Sequence, residues 1–157
     1  MQFISREFDV FTNEFNLNLA SEELCREYTS MVLPAIRDCN VNSKEHLSWI
    51  MVAVLDGKPV GYCYFWHNIK YASAYVAHIY VDANLRGDGV ATQLIDMCLD
   101  FIFSTLPNQI RVHFLREDKG SKLVDHFMKR VNEYALADKY FRIEATHYSK
   151  QLKLSRH

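Results

Sequence analysis

Hydrophobic positions along this chain change period several times, and each change marks an element. Residues 1–8, MQFISREF, predict a short strand, and SEELCREYTSMVLPAIRDC then shows helical spacing behind Ser21, Glu22 and Glu23, a helix-start signal. Pro34 ends or kinks that helix. SKEHLSW, from Ser43, has the Ser-x-x-His form of a weak cap and predicts a second short helix. From Trp49 the period is that of strands: WIMVAVL and KPVGYCYFWH are β-rich runs separated by Asp56-Gly57, a strong hairpin signal. YASAYVAHIYV follows after a polar break at Asn68 to Lys70, so three sequential antiparallel strands are predicted. Helical spacing then returns, with Val90, Ala91, Leu94, Ile95, Cys98 and Ile102 on one face and Thr92, Gln93, Asp96 and Asp100 on the other. Pro107 marks its end; QIRVHFL reads as a buried strand, SKLVDHFMKRV as a short helix, and EYALADKYFRIEATHY as one or two closing strands.

No repeat, low-complexity tract or linker interrupts this order. With 157 residues, 49% apolar and 24% charged, the chain reads as one domain spanning 1–157. A formal net charge of -1 argues against a nucleic-acid partner held by a broad basic surface. Cys25, Cys39, Cys63 and Cys98 lie far apart with no CxxC pair, which reads as reduced thiols in a cytoplasmic protein. The amino terminus lacks the basic start and apolar core of a signal peptide, and no run approaches the ~18 apolar residues of a membrane span. Neither membrane nor nucleic acid is expected as a partner; a homodimer stays open.

Between the third strand and the next helix lies LRGDGVA, with no ordinary loop. Gly87 and Gly89 flank Asp88, permit a tight turn and leave amide groups uncovered by side chains. A strand, a glycine turn and a helix amino terminus make an anion site, because free N–H groups converge where the dipole is positive, and Arg86 adds a full charge. An isolated RGxG is also compatible with a merely tight connection. Neither GxxxxGK[ST] nor GxGxxG with its following acidic residue is present.

The segment Val81-Asp82-x-x-Leu85-Arg86-Gly87-x-Gly89-Val90-Ala91 resembles the acyl-CoA-binding signature of the GNAT superfamily of N-acyltransferases, whose core [R/Q]-x-x-G-x-[G/A] is met by Arg86, Gly89 and Ala91. The order of elements is similar over nearly the whole chain, most closely from residue 49 to 116. The resemblance implies an α/β (α+β) GNAT fold: a mixed, mostly antiparallel central sheet flanked by helices, its central strands splayed to hold CoA. It implies acetyl transfer from acetyl-CoA to a primary amine of a small molecule or a protein. The cofactor would be held by Ile79, Tyr80, Val81, Arg86, Gly87, Asp88, Gly89, Val90, Ala91 and Thr92, the pantetheine arm lying between the strand ending at Val81 and the strand near residues 110 to 115.

Such a reaction needs a neutral amine, and an alkyl amine of about 10.4 pKa must first lose a proton. His78, three residues before Val81, is the candidate base, with an unperturbed pKa of about 6.5, although a half-buried strand histidine with a satisfied hydrogen bond reads as well. A backbone amide near Ile79 to Val81 would hold the thioester carbonyl. Tyr80 shares the face of His78 under strict alternation, unless a bulge breaks the count. Family members often carry N-x-x-A-x-x-x-Y in the helix after the penultimate core strand. Here Gly120 and Phe127 stand at the asparagine and tyrosine, which leaves His126, Tyr134 or no group at all as the acid that protonates sulfur.

That departure keeps a second reading open, a CoA-binding sensor or interaction module of the same fold with little or no turnover. Tyr62, Tyr64 and Trp66 alternate on one face and either line an acceptor pocket or pack under a helix. His113 and His147 have no partner at metal-ligand spacing, so no metal is expected.

Overall fold

The computed structural model describes residues 1–7, 17–35, 46–68, 73–105, 109–114, 122–137, 141–145 and 150–156. Ser21 begins the first helix as the residue pattern requires: its hydroxyl accepts from the amide of Leu24 at 3.0 Å, and Glu22 and Glu23 sit in the first turn against the positive end of the dipole. Helix α1 (Glu22–Glu27) runs into a π turn, Tyr28–Val32, and helical backbone continues through residues 33–35. Pro34 therefore does not stop the helix within the described residues. Its missing N–H frees the carbonyl one turn earlier, and a widened turn stands just ahead of it.

Strand β1 is Gln2–Glu7, β2 is His46–Leu55, β3 is Lys58–Asn68 and β4 is Ser73–Val81. Asp56 and Gly57 both have positive φ, 52° and 76°, the backbone of a tight two-residue hairpin whose twist matches its flanking strands. The helix expected from Ser43 is corrected here. Residues 43–45 lie outside the described residues, and 46–49 are already strand, where pairing with β3 and β1 outweighs a weak local cap.

Helix α2 (Val90–Ser104) is followed by β5 (Gln109–Phe114), α3 (Lys122–Ala137), β6 (Phe141–Ala145) and β7 (Lys150–Arg156). Helix α3 thus runs well past the short helix expected, and the stretch expected to open the closing strands at Glu133 is still helical as far as Ala137. Phe127, Val131 and Tyr134 explain it, because they fall at helical spacing and all pack on the core beneath. The last strand lies at 150–156, beyond the residues read as strand from sequence.

All seven strands join in one sheet, ordered β1-β2-β3-β4-β5-β7-β6. Every neighbouring pair is antiparallel except β4 and β5, which run parallel. One sheet face packs on α2 and α3 through Cys63, Phe65, Val76, Leu94, Ile95, Cys98, Leu99, Ile102, Phe127 and Val131. The other packs on α1 through Leu24, Tyr28, Val32, Ile50, Val52, Tyr62, Tyr64 and Tyr80. Tyr62 and Tyr64 are fully buried in that second layer, so the aromatic stripe of β3 packs a helix. Among the described residues Cys25, Cys63 and Cys98 are free thiols, and no helix is long and apolar enough to cross a membrane.

Candidate functional site

The carboxyl end of β4 leads through a 3-10 turn, Ala83–Leu85, and residues 86–89 straight into α2. Gly87 and Gly89 hold φ of 93° and 82°, left-handed backbone in which an L side chain is strained. A Cβ placed on either meets nothing within 4 Å, so these glycines serve conformation and openness, not packing. The first intrahelical bond of α2 runs from the amide of Gln93 to the carbonyl of Gly89 at 3.1 Å. The amides of Gly89, Val90, Ala91 and Thr92 therefore precede the helical ladder, and no side chain caps them. Asp88 differs, since its amide is engaged within the turn, donating to Leu85 at 3.4 Å. With no acidic residue in its first turn, this helix end presents open donors and the positive end of the dipole to an anion.

Arg86 brackets the same turn. Its Nε donates to the carbonyl oxygen of Val81 at 2.9 Å, its Nη2 lies 3.6 Å from Glu23 Oε1, and its guanidinium lies 5.7 Å from the Tyr80 ring centroid. Beside it, Gly61 of β3 allows a close approach: a Cβ there would stand 3.0 Å from the carbonyl oxygen of Tyr80. The sequence marks Glu23 only as part of a helix start and Gly61 not at all, because their roles here depend on neighbours far along the chain.

The gap beside β4 is visible in the strand register. Ser73 to Val76 pair with Gln109 to Val112 of β5, and the pairing stops there, leaving Ala77 to Val81 without a β5 partner. A bulge sits at the same level, since Tyr64 opposes His78 while Phe65 opposes Val76 and leaves Ala77 extra. Ala77 joins the α1-side layer directly beside His78, so the bulge breaks strict alternation just before the residues of interest. His78 and Tyr80 lie after it and share a face, both rings within 6.0 Å of that of Tyr62.

On that face α1 supplies the partners. Glu27 Oε2 lies 3.2 Å from His78 Nε2. Burial lowers the pKa of His78 below its ordinary value, against an opposing pull from Glu27, so the ring is neutral and basic near pH 7. The Tyr80 hydroxyl donates to Asp82 Oδ1 at 3.0 Å, and the hydroxyl of Ser21 donates to the same oxygen at 2.6 Å. Burial and the bond to Asp82 raise the Tyr80 pKa to about 12, so this phenol stays protonated and committed to the carboxylate. Burial, with Glu27 nearby, also raises the Tyr62 phenol and keeps it neutral.

His126 and Tyr134 sit elsewhere, in the seam between α2 and α3. His126 Nε2 is 2.6 Å from Asp96 Oδ1, and Arg130 bonds both Asp96 and Asp100. Tyr134 stacks on Phe103, ring centroids 4.1 Å apart. Phe127, where the resemblance would place a tyrosine, is 1% exposed and belongs to the main core. The structure thus gathers His78, Tyr80 and the turn of 86–92 at one end of β4, and draws His126 and Tyr134 into helix packing. Among the described residues no cluster of three His, Cys, Asp or Glu could hold a metal ion; His147 and the side chain of His113 lie outside that description.

Comparison with known proteins agrees with this architecture. Residues 14–130 match the model of the acetyltransferase (GNAT) family. No curated protein matches the chain. Among solved structures it is similar to GCN5 from Tetrahymena, at TM-score 0.57 and 17% identity over 100% of this chain and 97% of that one. It is also similar to a spermidine N-acetyltransferase SpeG chimera from Vibrio cholerae and hSSAT, at TM-score 0.52 and 19% identity over 98% of this chain and 93% of that one. A third is PaiA N-acetyltransferase from Thermoplasma acidophilum in complex with coenzyme A, at TM-score 0.50 and 12% identity over 100% of both chains. At such identities the likeness is one of fold, and the family rests on the matched model: the chain belongs to the GNAT family of acetyltransferases, which use acetyl-CoA.

Proposed function

We propose that this protein transfers the acetyl group of acetyl-CoA to a primary amine of a small molecule or a protein, with residues 1–157 acting as one domain. The observation that carries this reading is the turn of Arg86 to Gly89, whose left-handed glycines open onto free space in front of the uncapped first turn of α2. Those residues fit a diphosphate: amides of Gly89, Val90, Ala91 and Thr92 donate, Arg86 supplies a cation, and the missing Cβ atoms leave room. Gly87 and Asp88 shape the turn, and the main chain of Ile79, Tyr80 and Val81, unpaired with β5, suits an extended amide-bearing arm.

When bound, acetyl-CoA supplies an activated acyl group on a thiol leaving group of about 8.5 pKa. His78 takes the proton of the incoming ammonium. Its burial keeps it neutral, and its place beside the bulge sets it next to the unpaired stretch of β4. Tyr80 holds Asp82, and with it the start of the turn. No dedicated acid is assigned, a loss of roughly 10²-fold at most for so good a leaving group.

Calorimetry with acetyl-CoA tests the binding half. Gly89→Arg keeps its fold yet loses acetyl-CoA affinity, because the new side chain occupies the anion cradle; unchanged affinity in a soluble variant refutes the reading. A thiol-release assay across an amine panel that includes spermidine, an amino-terminal alanine peptide and a lysine peptide tests turnover. Phe127 favours a second reading, a CoA-binding module with little turnover, since a phenylalanine buried in the core offers no proton to sulfur. Binding without thiol release on any amine selects it.

A further inference from the structure

Helix α1 reaches the sheet at three points along one side. Ser21 bonds Asp82, Glu23 faces Arg86, and one turn later Glu27 faces His78. The first two contacts fix the helix against the end of β4, and the third is therefore held in place. The π turn that begins at Tyr28 follows at once, and Tyr28 meets Tyr62 edge-on with centroids 6.0 Å apart.

The surroundings of His78 can be named element by element. From α1 comes Glu27; from β3 come Tyr62, whose ring centroid is 5.7 Å away, and Tyr64, opposite in register with its hydroxyl 3.0 Å from Ser48 Oγ. Along its own strand Tyr80 is bonded to Asp82. Among the described residues Glu27 alone brings a carboxylate to the imidazole, with side-chain exposures of 19% for His78 and 38% for Glu27; its oxygen stands at ion-pair distance from Nε2 but out of line for a hydrogen bond, so that buried nitrogen has no hydrogen-bond partner. A neutral imidazole carries one N–H, and the group its other nitrogen meets is set by where that N–H points.

We propose that Glu27 is the positioning residue for His78: a small turn of its carboxylate, already 3.2 Å from the ring, lets it accept the Nε2 proton, which leaves Nδ1 as the nitrogen that receives a proton from the acceptor ammonium. This rests on His78 being the base of the proposed reaction. The proton leaves the ammonium nitrogen, binds Nδ1 to give an imidazolium facing the Glu27 carboxylate, and passes to water after transfer. Glu27 never touches the acceptor. It keeps the ring in one tautomer and steadies the charged form.

The test is a ¹⁵N NMR titration of His78 in the whole chain, wild type and Glu27→Gln, followed by pH–rate profiles on an amine accepted from the panel. The wild type shows the Nε2–H tautomer in its neutral form. In Glu27→Gln the titration moves to lower pH, the acid limb of kcat moves with it, and plateau kcat falls roughly tenfold while KM for acetyl-CoA holds. An Nδ1–H tautomer in the wild type, or superimposable titrations in the two proteins, overturns the proposal, and the wild-type spectrum decides even if the variant fails to fold. His78→Ala separates the two readings: an unaltered acid limb removes His78 as base, whereas loss of the limb in His78→Ala with a wild-type profile in Glu27→Gln removes Glu27 alone.

Discussion

Arg86 ties itself to Val81, its Nε donating across 2.9 Å to the carbonyl that ends β4. The strand end and the first residue of the glycine turn are thereby one unit, with the guanidinium aimed by a main-chain bond before any ligand arrives. Arg86→Ala removes both the aim and the charge. Acetyl-CoA affinity falls about tenfold or more, the scale of one charge-assisted hydrogen bond, with little change in melting temperature. Calorimetry at two salt concentrations checks it, since the deficit narrows as salt screens the charge.

Gly61 predicts a stability effect at the same place. Its backbone is not left-handed; what requires glycine is the Tyr80 carbonyl, 3.0 Å from where a Cβ would stand, with a Val81 methyl at 3.3 Å. Gly61→Val overpacks this contact and costs about 1–3 kcal/mol. Urea unfolding measures the loss, and a weaker grip on acetyl-CoA accompanies it because the end of β4 must shift.

His67 predicts a pH dependence. Its ring lies 5.8 Å from that of Phe101, and burial holds its pKa below the ordinary 6.5. The unfolded chain therefore takes up the proton first, so the folded state is fully favoured above about pH 6.5 and loses stability as pH falls from there toward the lowered folded-state pKa. The half-buried neutral ring of His78 adds in the same direction. The urea midpoint at pH 5.5 lies below that at pH 7.5, and His67→Phe flattens the difference.

Asp96 predicts a packing effect away from the glycine turn. It receives both His126 and Arg130, so two of the polar contacts between α2 and α3 meet on its carboxylate, beside the Arg130–Asp100 pair. Asp96→Ala leaves Arg130 only Asp100 and His126 neither, and costs about 1 kcal/mol, or roughly 2–4 °C of melting temperature for a chain of this size. Differential scanning calorimetry reads this directly.

What the sequence disclosed was what local chemistry dictates. Asp56-Gly57 requires positive φ at two adjacent residues and has it; Gly87 and Gly89 likewise, and Ser21 caps the helix it announces. What it hid depends on distant partners. Residues 46–49 follow the weak cap expected at Ser43 and still become strand, because β3 pairs with all four and β1 with Trp49. Glu133 to Ala137 stay helical, and the alternation of Leu152 and Leu154 gains meaning only when β7 lies between β5 and β6. The site divides in the same way. The glycine turn is contiguous and legible, whereas Glu27 is one acidic residue among several until the sheet brings His78 to it.

The parallel joint between β4 and β5 consists of four residue pairs, Ser73 to Val76 against Gln109 to Val112. Beyond it the main-chain polar groups on that side of β4 have no neighbouring strand among the described residues to satisfy them. Such a sheet is seamed through its middle, and whatever molecule lodges in the seam becomes part of what holds the two halves together. Its resistance to heat is then no fixed property of the polypeptide but rises with the concentration of that guest, by about RT ln(1 + [L]/Kd).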